Sequence, residues 1–198
     1  LHRLIRRQRQ MCIRDSKEVL WIYQDQSNDL NLLESKYGIK WWWPWESKDM
    51  PGTIGKRYGG TIKKYDLMNR LLDDIKNNPY GRRHIIDMWQ ESDFEETDGL
   101  NPCAFLTMWT VRGEYLNLML IQRSSDFLTA FNINEIQYVA LLMMVARHCG
   151  YKPGKFTHVI NNVHIYDRHM ENLEIMLNRT SIDCQPCLLY TSDAADEL

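Results

Sequence analysis

The sequence predicts an α+β fold in which helices pack on a mixed or antiparallel sheet. Some segments repeat their apolar residues at helical spacing and others alternate as strands do. The two kinds are interspersed without the strict alternation that a doubly wound sheet needs. A chain of 198 residues with 44% hydrophobic content can bury one sizeable core and is short for two domains.

The ends stand apart from the middle. Residues 1–16, containing RRQRQMCIRDS, and 185–198, with CLLYTSDAADEL from Cys187, resemble translated sequencing adapter. Residues 17–184 are therefore expected to form one domain, incomplete at both ends, and Cys12 and Cys187 to carry no function.

Along that domain, Val19, Leu20, Ile22, Tyr23, Leu30, Leu32 and Leu33 predict two short helices broken near residues 26–28. WWWPWESKDMPGTIGKRYGG, residues 41–60, is rich in Trp, Gly and Pro and reads as a long irregular loop, a kind of segment that is usually functional inside a compact domain. Leu67, Leu71 and Ile75, beside Met68 and Leu72, place one apolar face on a helix over 65–78, which Pro79 and Gly81 end. A strand over 84–89 and an acidic loop to Asn101 follow. Strands over 103–111 and 115–121 flank Arg112-Gly113-Glu114, a hairpin turn. Ile136, Val139, Ala140, Met143 and Ala146 predict a helix over 134–149 with Gly150 as its stop, then a strand over 156–166 and a last helix over 169–179.

Bulk properties exclude several function classes. Lys plus Arg number 24 against 26 Asp plus Glu, so no overall charge recruits nucleic acid or a membrane surface, and an anionic ligand needs a local cluster. The longest apolar stretch, residues 138–146, is far shorter than the ~20 residues that span a bilayer. Five widely spaced cysteines fit a reducing compartment better than a disulfide framework, and the expectation is a cytoplasmic protein.

Three local patterns carry chemistry. Asn101-Pro102-Cys103 lies on one strand of the hairpin and Gln122-Arg123-Ser124-Ser125-Asp126 follows on the other. A thiol attacks only as thiolate, and an adjacent guanidinium lowers its pKa, although a lone cysteine is as readily a small buried hydrophobe. Arg82-Arg83, on a turn after a helix, suits a phosphate through forked hydrogen bonds, or is a solvated pair favoured by the helix dipole. His164 and Tyr166, two apart on a strand, share a face and could grip neighbouring hydroxyls, or pack on the core. Taken alone, the tryptophans at 41–45 read first as a core or interface cluster and Met143-Met144 as core packing. Cys184-Gln-Pro-Cys187 lacks the second pair a metal site needs, His158, His164 and His169 lack ligand spacing, and no metal is expected.

Taken in order, Glu18-Val-Leu-Trp21, Arg82-Arg83, Pro102-Cys103, Gln122-Arg123-Ser124-x-Asp126, Asn134-x-x-x-Tyr138 and His164-x-Tyr166 resemble the thymidylate synthases over nearly all of residues 17–179. The resemblance implies that family's fold, a large sheet with packed helices. It implies methylation of dUMP to dTMP with 5,10-methylenetetrahydrofolate as one-carbon and hydride donor, in a homodimer. Cys103 would add to C6 of the pyrimidine, Arg123 would contact thiolate and phosphate, and Ser124 the phosphate. Arg82 and Arg83 would complete the partner's phosphate site. Glu18 would organise water and proton movement, Asn134 would read the uracil edge with Asn132 as the alternative, and His164 and Tyr166 would hold the ribose 3′-hydroxyl. Asp126 would bind the pterin, Trp42 and Trp45 would stack on the folate, and Tyr58 would lie near the reacting carbon.

The chain departs from the family pattern at several positions. Ala104 stands where His is usual, Asn162 where Asp is, Asn161 where Gly is, and Trp43 where an acidic residue often separates the tryptophans. Ala130-Phe131-Asn132-Ile133-Asn134 replaces Gly-x-Pro-Phe-Asn. The family's phosphate loop and closing tail are expected outside residues 17–184, so this chain should turn over poorly. Two rivals remain: a nucleotide hydroxymethylase of the same superfamily, and a catalytically silent nucleotide-binding dimer.

Overall fold

The computed structural model describes residues 16–180. Cys12, Cys184, Cys187 and nearly all of the adapter-like ends lie outside the described residues. A four-stranded mixed sheet organises the rest, in the order β1-β2-β3-β4. Strands β1 (Ile85–Asp87), β2 (Ala104–Arg112) and β3 (Tyr115–Asp126) run antiparallel, and β4 (Lys152–His164) joins β3 in parallel. With helices packed on this mixed sheet, the α+β expectation holds.

The hairpin forms where the sequence places it, with Arg112 paired to Tyr115 across the turn. Alternation along it separates two faces. Leu116, Leu118, Leu120 and Gln122 of β3, with their partners Val111, Trp109, Thr107 and Ala104 of β2, are buried. The opposite register carries Met108, Met119, Ile121, Thr157 and Val159, which are half-buried or exposed.

Helix α1 (Leu30–Tyr37) is capped by Asp29, whose carboxylate accepts from the amides of Asn31 and Leu32 at 2.7 and 3.2 Å. Trp21, fully buried in a π-helical turn over Leu20–Gln24, fastens the same residue by donating Nε1–H to the Asp29 carbonyl at 3.1 Å. The two predicted helical segments are thus a π-turn and an α-helix. Helix α2 (Gly59–Lys64) and a 3₁₀ turn over Trp43–Trp45 occupy the ends of the predicted irregular loop, and α3 (Leu67–Asn77) buries Met68, Leu71 and Ile75 as its spacing requires.

The acidic stretch expected as a loop contains α4 (Glu91–Glu96), anchored by fully buried Asp93. Asp93 accepts from Thr61 Oγ1 and Lys64 Nζ at 2.7 Å each, and from Tyr65 Oη at 3.1 Å. Helix α5 (Asn132–Cys149) continues a π-turn over Phe127–Phe131 and packs on β3 and β4. The combined run 127–149 is long and apolar enough to cross a bilayer, whereas the apolar stretch read from sequence was not. Its buried side chains, including Tyr138, Leu141, Leu142 and Val145, belong to the core. Last comes α6 (Met170–Leu177), after a 3₁₀ turn at Asp167–His169.

Candidate active site

Cys103 sits one residue before β2. Because Ala104 pairs with Gln122, Cys103 falls opposite Arg123, and the Arg123 amide donates to the Cys103 carbonyl at 2.9 Å. The guanidinium turns back over the same segment, with Nε–H donating to the Pro102 carbonyl at 3.0 Å and Nη2 to that of Asn101 at 2.9 Å. The arginine is therefore fixed beside the thiol by three backbone bonds. Burial pushes the Cys103 thiol above its ordinary range and the Arg123 charge pulls it back down.

A second wall comes from the Trp-rich segment. The Cys103 amide donates to the Tyr58 hydroxyl at 3.2 Å. Tyr58 takes φ +48°, a positive value uncommon for a bulky side chain. Gly59 next to it lies so close to the Ser27 backbone that no Cβ could be accommodated. Trp42 packs edge-on against Tyr58 at 5.1 Å and against Trp45 at 5.7 Å. Trp42 is buried with its indole N–H unpartnered, while Trp45 is 43% exposed. Glu18, 7% exposed, accepts from Trp41 Nε1 at 2.8 Å.

Tyr138, four residues after Asn134 on α5, closes the inner side. Its hydroxyl accepts from Tyr23 at 3.1 Å and donates to the Ala104 carbonyl at 3.4 Å. Tyr23, Tyr58 and Tyr138 are all raised by burial. Their folded-state pKa values lie above the unfolded one, so the stability they contribute is intact below about pH 10 and lost as pH climbs beyond it. The urea midpoint should accordingly fall between about pH 8 and about pH 10.5, and Tyr23→Phe, with one fewer buried phenol, should fall less.

Asn134 is oriented from two sides. Gln122 Nε2 donates to its Oδ1 at 3.0 Å, and its Nδ2 donates to Gln137 at 3.2 Å. Gln122 is set in turn by His158, 2.9 Å away, and donates also to the Ser124 carbonyl. Gln122 and His158 escaped sequence reasoning as orienting groups. The alternation that puts Gln122 on the buried face was the available signal.

Farther along the sheet, Asp126 pairs with His164 in register, caps Leu128 N–H, accepts from Thr129 Oγ1 and lies 3.5 Å from His169 Nδ1. His164 donates Nδ1–H to Asn162 at 3.0 Å. β4 ends at His164, so Tyr166 stands just past the strand, in extended backbone before the next turn. The two rings meet edge-on at 5.0 Å, and Tyr166 is 46% exposed. Arg82 and Arg83 lie outside this constellation, exposed before β1, with Arg83 lining a cleft shared with Arg70, Asp73 and Asp74 of α3. No group of three or more His, Cys, Asp or Glu side chains converges on a metal-sized site among the described residues.

The thymidylate synthase family model matches residues 4–196. The chain belongs to the thymidylate synthase family. It is 52% identical over 178 residues to the thymidylate synthase of Lactococcus lactis subsp. lactis (strain IL1403), covering 87% of this chain and 63% of that relative. It is 54% identical over 177 residues to the enzyme of Streptococcus pneumoniae (strain ATCC 700669 / Spain 23F-1), with the same coverage. Among solved structures it superposes on thermostable thymidylate synthase A from Bacillus subtilis with a TM-score of 0.81 and 34% identity, over 87% of this chain and 64% of that one. The chain thus spans a little under two thirds of the length of the thymidylate synthases it matches.

Proposed function

We propose that this chain carries the catalytic centre of an enzyme that methylates dUMP to dTMP with 5,10-methylenetetrahydrofolate. The observation that carries the reading is the thiol at 103 held opposite a backbone-clamped Arg123, in a chain of this family.

The residues divide the work. Arg123 and Ser124, with Arg82 and Arg83 of the partner subunit, hold the phosphate through charge-assisted hydrogen bonds. His164, having given Nδ1–H to Asn162, keeps Nε2 for the ribose 3′-hydroxyl, and Tyr166 stands beside it. Asn134 still has a second amide hydrogen and a second lone pair after meeting Gln122 and Gln137, enough for the donor and acceptor of a uracil edge. The Cys103 thiolate adds to C6, and the electron pair moves towards the C4 carbonyl. Glu18, buried and fixed by Trp41, moves protons there through water. Tyr58 lies at the carbon whose proton must leave, and re-formation of the C5–C6 double bond expels the thiolate.

Trp42 and Trp45 suit a flat conjugated ring, since one presents a buried unpartnered indole N–H and the other an exposed face, and Asp126 would take the pterin. The folate, when bound, supplies the one carbon and the hydride. This reading places the protein in the cytoplasm as a homodimer.

The test is product identity. The chain is incubated with dUMP tritiated at C5 and the folate, and nucleotide and folate products are separated. Thymidylate with dihydrofolate, even from slow turnover, is expected. Hydroxymethyl-dUMP with tetrahydrofolate would replace the reading with a hydroxymethylase. Nucleotide binding without tritium release or a covalent adduct would make the chain a silent binder.

A further inference from the structure

We propose that Arg57 is a positioning residue for Cys103, holding the Asn101–Cys103 segment on which Arg123 is docked; the proposal rests on Cys103 as the nucleophile. Arg57 is 2% exposed, so every donor on its guanidinium needs a partner. Nη1 donates to the carbonyls of Asp93 at 2.7 Å and Lys56 at 3.1 Å, and Nη2 to that of Thr97 at 2.8 Å. The group also lies 4.5 Å from the Phe94 ring. These contacts tie it to α4 and the turn that follows. The close passage of Gly55 against the Asp98 backbone, where a Cβ would collide, brings the two loops together.

Nε donates to Asn101 Oδ1 at 3.1 Å. Asn101 therefore stands between two cations, its side-chain oxygen on Arg57 and its carbonyl on Arg123. Arg57 and Tyr58, consecutive in sequence, grip the two ends of one three-residue segment, at Asn101 and at the Cys103 amide. An apolar side chain at position 57 could fill the space, but it would leave three carbonyls and Asn101 without this donor. Without the Arg57–Asn101 bond, the carbonyls that fix Arg123 lose one of their restraints. The guanidinium that stabilises the thiolate then samples positions farther from the sulfur, and thiolate becomes scarcer at neutral pH.

The experiment follows alkylation of Cys103 by iodoacetamide against pH in the whole 198-residue chain, read at the Cys103 peptide by mass spectrometry. Asn101→Ala removes the bond to Arg57 but keeps the backbone carbonyl that holds Arg123. Its alkylation midpoint should rise by about half a pH unit or more, lowering the rate near neutrality roughly threefold, with the high-pH plateau unchanged. A purely structural loosening would raise the rate at every pH without moving the midpoint, and that result, or an unchanged profile, overturns the proposal. Should Asn101→Ala not fold, Arg57→Lys serves: it keeps the charge but cannot span Asn101 and the three carbonyls, and the same shift is expected. Failure of the nucleophile reading shows separately, as absence of a nucleotide adduct on Cys103 in the unaltered chain.

Discussion

Cys103→Ala abolishes covalent capture of 5-fluoro-dUMP in the presence of the folate, while Cys149→Ala leaves it intact. Fluorine at C5 cannot depart as the proton does, so a thiol that has added to C6 stays bonded, and the adduct survives denaturation and mass spectrometry. Two cysteines among the described residues are free, and both are raised by burial. They differ in surroundings. Cys149 ends α5 with its sulfur 4.0 Å from the Leu72 carbonyl, and the nearby cation is Lys76, whose ammonium lies 2.9 Å from His148. Cys103 faces an arginine held by the carbonyls of Asn101 and Pro102, so the charge is there before the thiolate forms. Loss of a covalent nucleophile typically costs on the order of 10⁴-fold or more in turnover, far beyond any other single change considered. An adduct on the Cys103→Ala chain would remove the central assignment.

How much of this was legible in the sequence depended on whether the signal was local. The hairpin was legible because Gly113 supplies the φ of +58° that its turn needs between two alternating runs. Helix α3 was legible because its apolar stripe is regular. Helix α4 was not: Phe94 is its one large apolar residue, and the segment is held by Asp93 bonds to residues 28–32 positions away. β4 starts at Lys152, before the strand over 156–166 that its alternation predicts, and runs through Pro153 and Gly154, residue types that ordinarily interrupt strands. They are tolerated because β4 is an edge strand among the described residues, where the missing N–H at Pro153 points away from β3.

The site divides along the same line. Cys103 and Arg123 were legible because adjacent hairpin strands bring them opposite one another. Arg57 looks in sequence like any basic residue in a glycine-rich loop, and only the convergence of Lys56, Asp93, Thr97 and Asn101 distinguishes it. Ala104, standing where the family usually has His, is buried and paired to Gln122, and its carbonyl accepts from Tyr138. The Gln122–His158–Asn134 linkage arises from three segments at once, which no local pattern encodes.

Met119→Glu should convert a dimer to monomers and weaken nucleotide binding at the same time. Met119 lies mid-strand on the outward register of β3, between Met108 and Thr157, with Ile121 and Val159 beyond. A half-covered apolar sheet face suits burial against a second copy, and a specific dimer commonly buries ~800 Å² from each subunit. Arg123 continues the same register, so the phosphate contact proposed for it would sit at the rim of the face that a second copy would cover. On the proposed reading, Arg82 and Arg83, exposed before β1, would be the groups that reach the partner's phosphate site. A glutamate at 119 would bury an unpaired carboxylate, at a cost of several kcal/mol; about 4 kcal/mol corresponds to roughly a 10³-fold weaker dimer. Sedimentation equilibrium reads the first effect and dUMP titration the second. The double variant Arg82→Ala with Arg83→Ala should lower dUMP affinity and leave the dimer intact, because it removes the reaching charges without touching the sheet. A Met119→Glu chain that stays dimeric would move the interface off this face, and a monomer with undiminished dUMP affinity would mean that the phosphate site needs no partner.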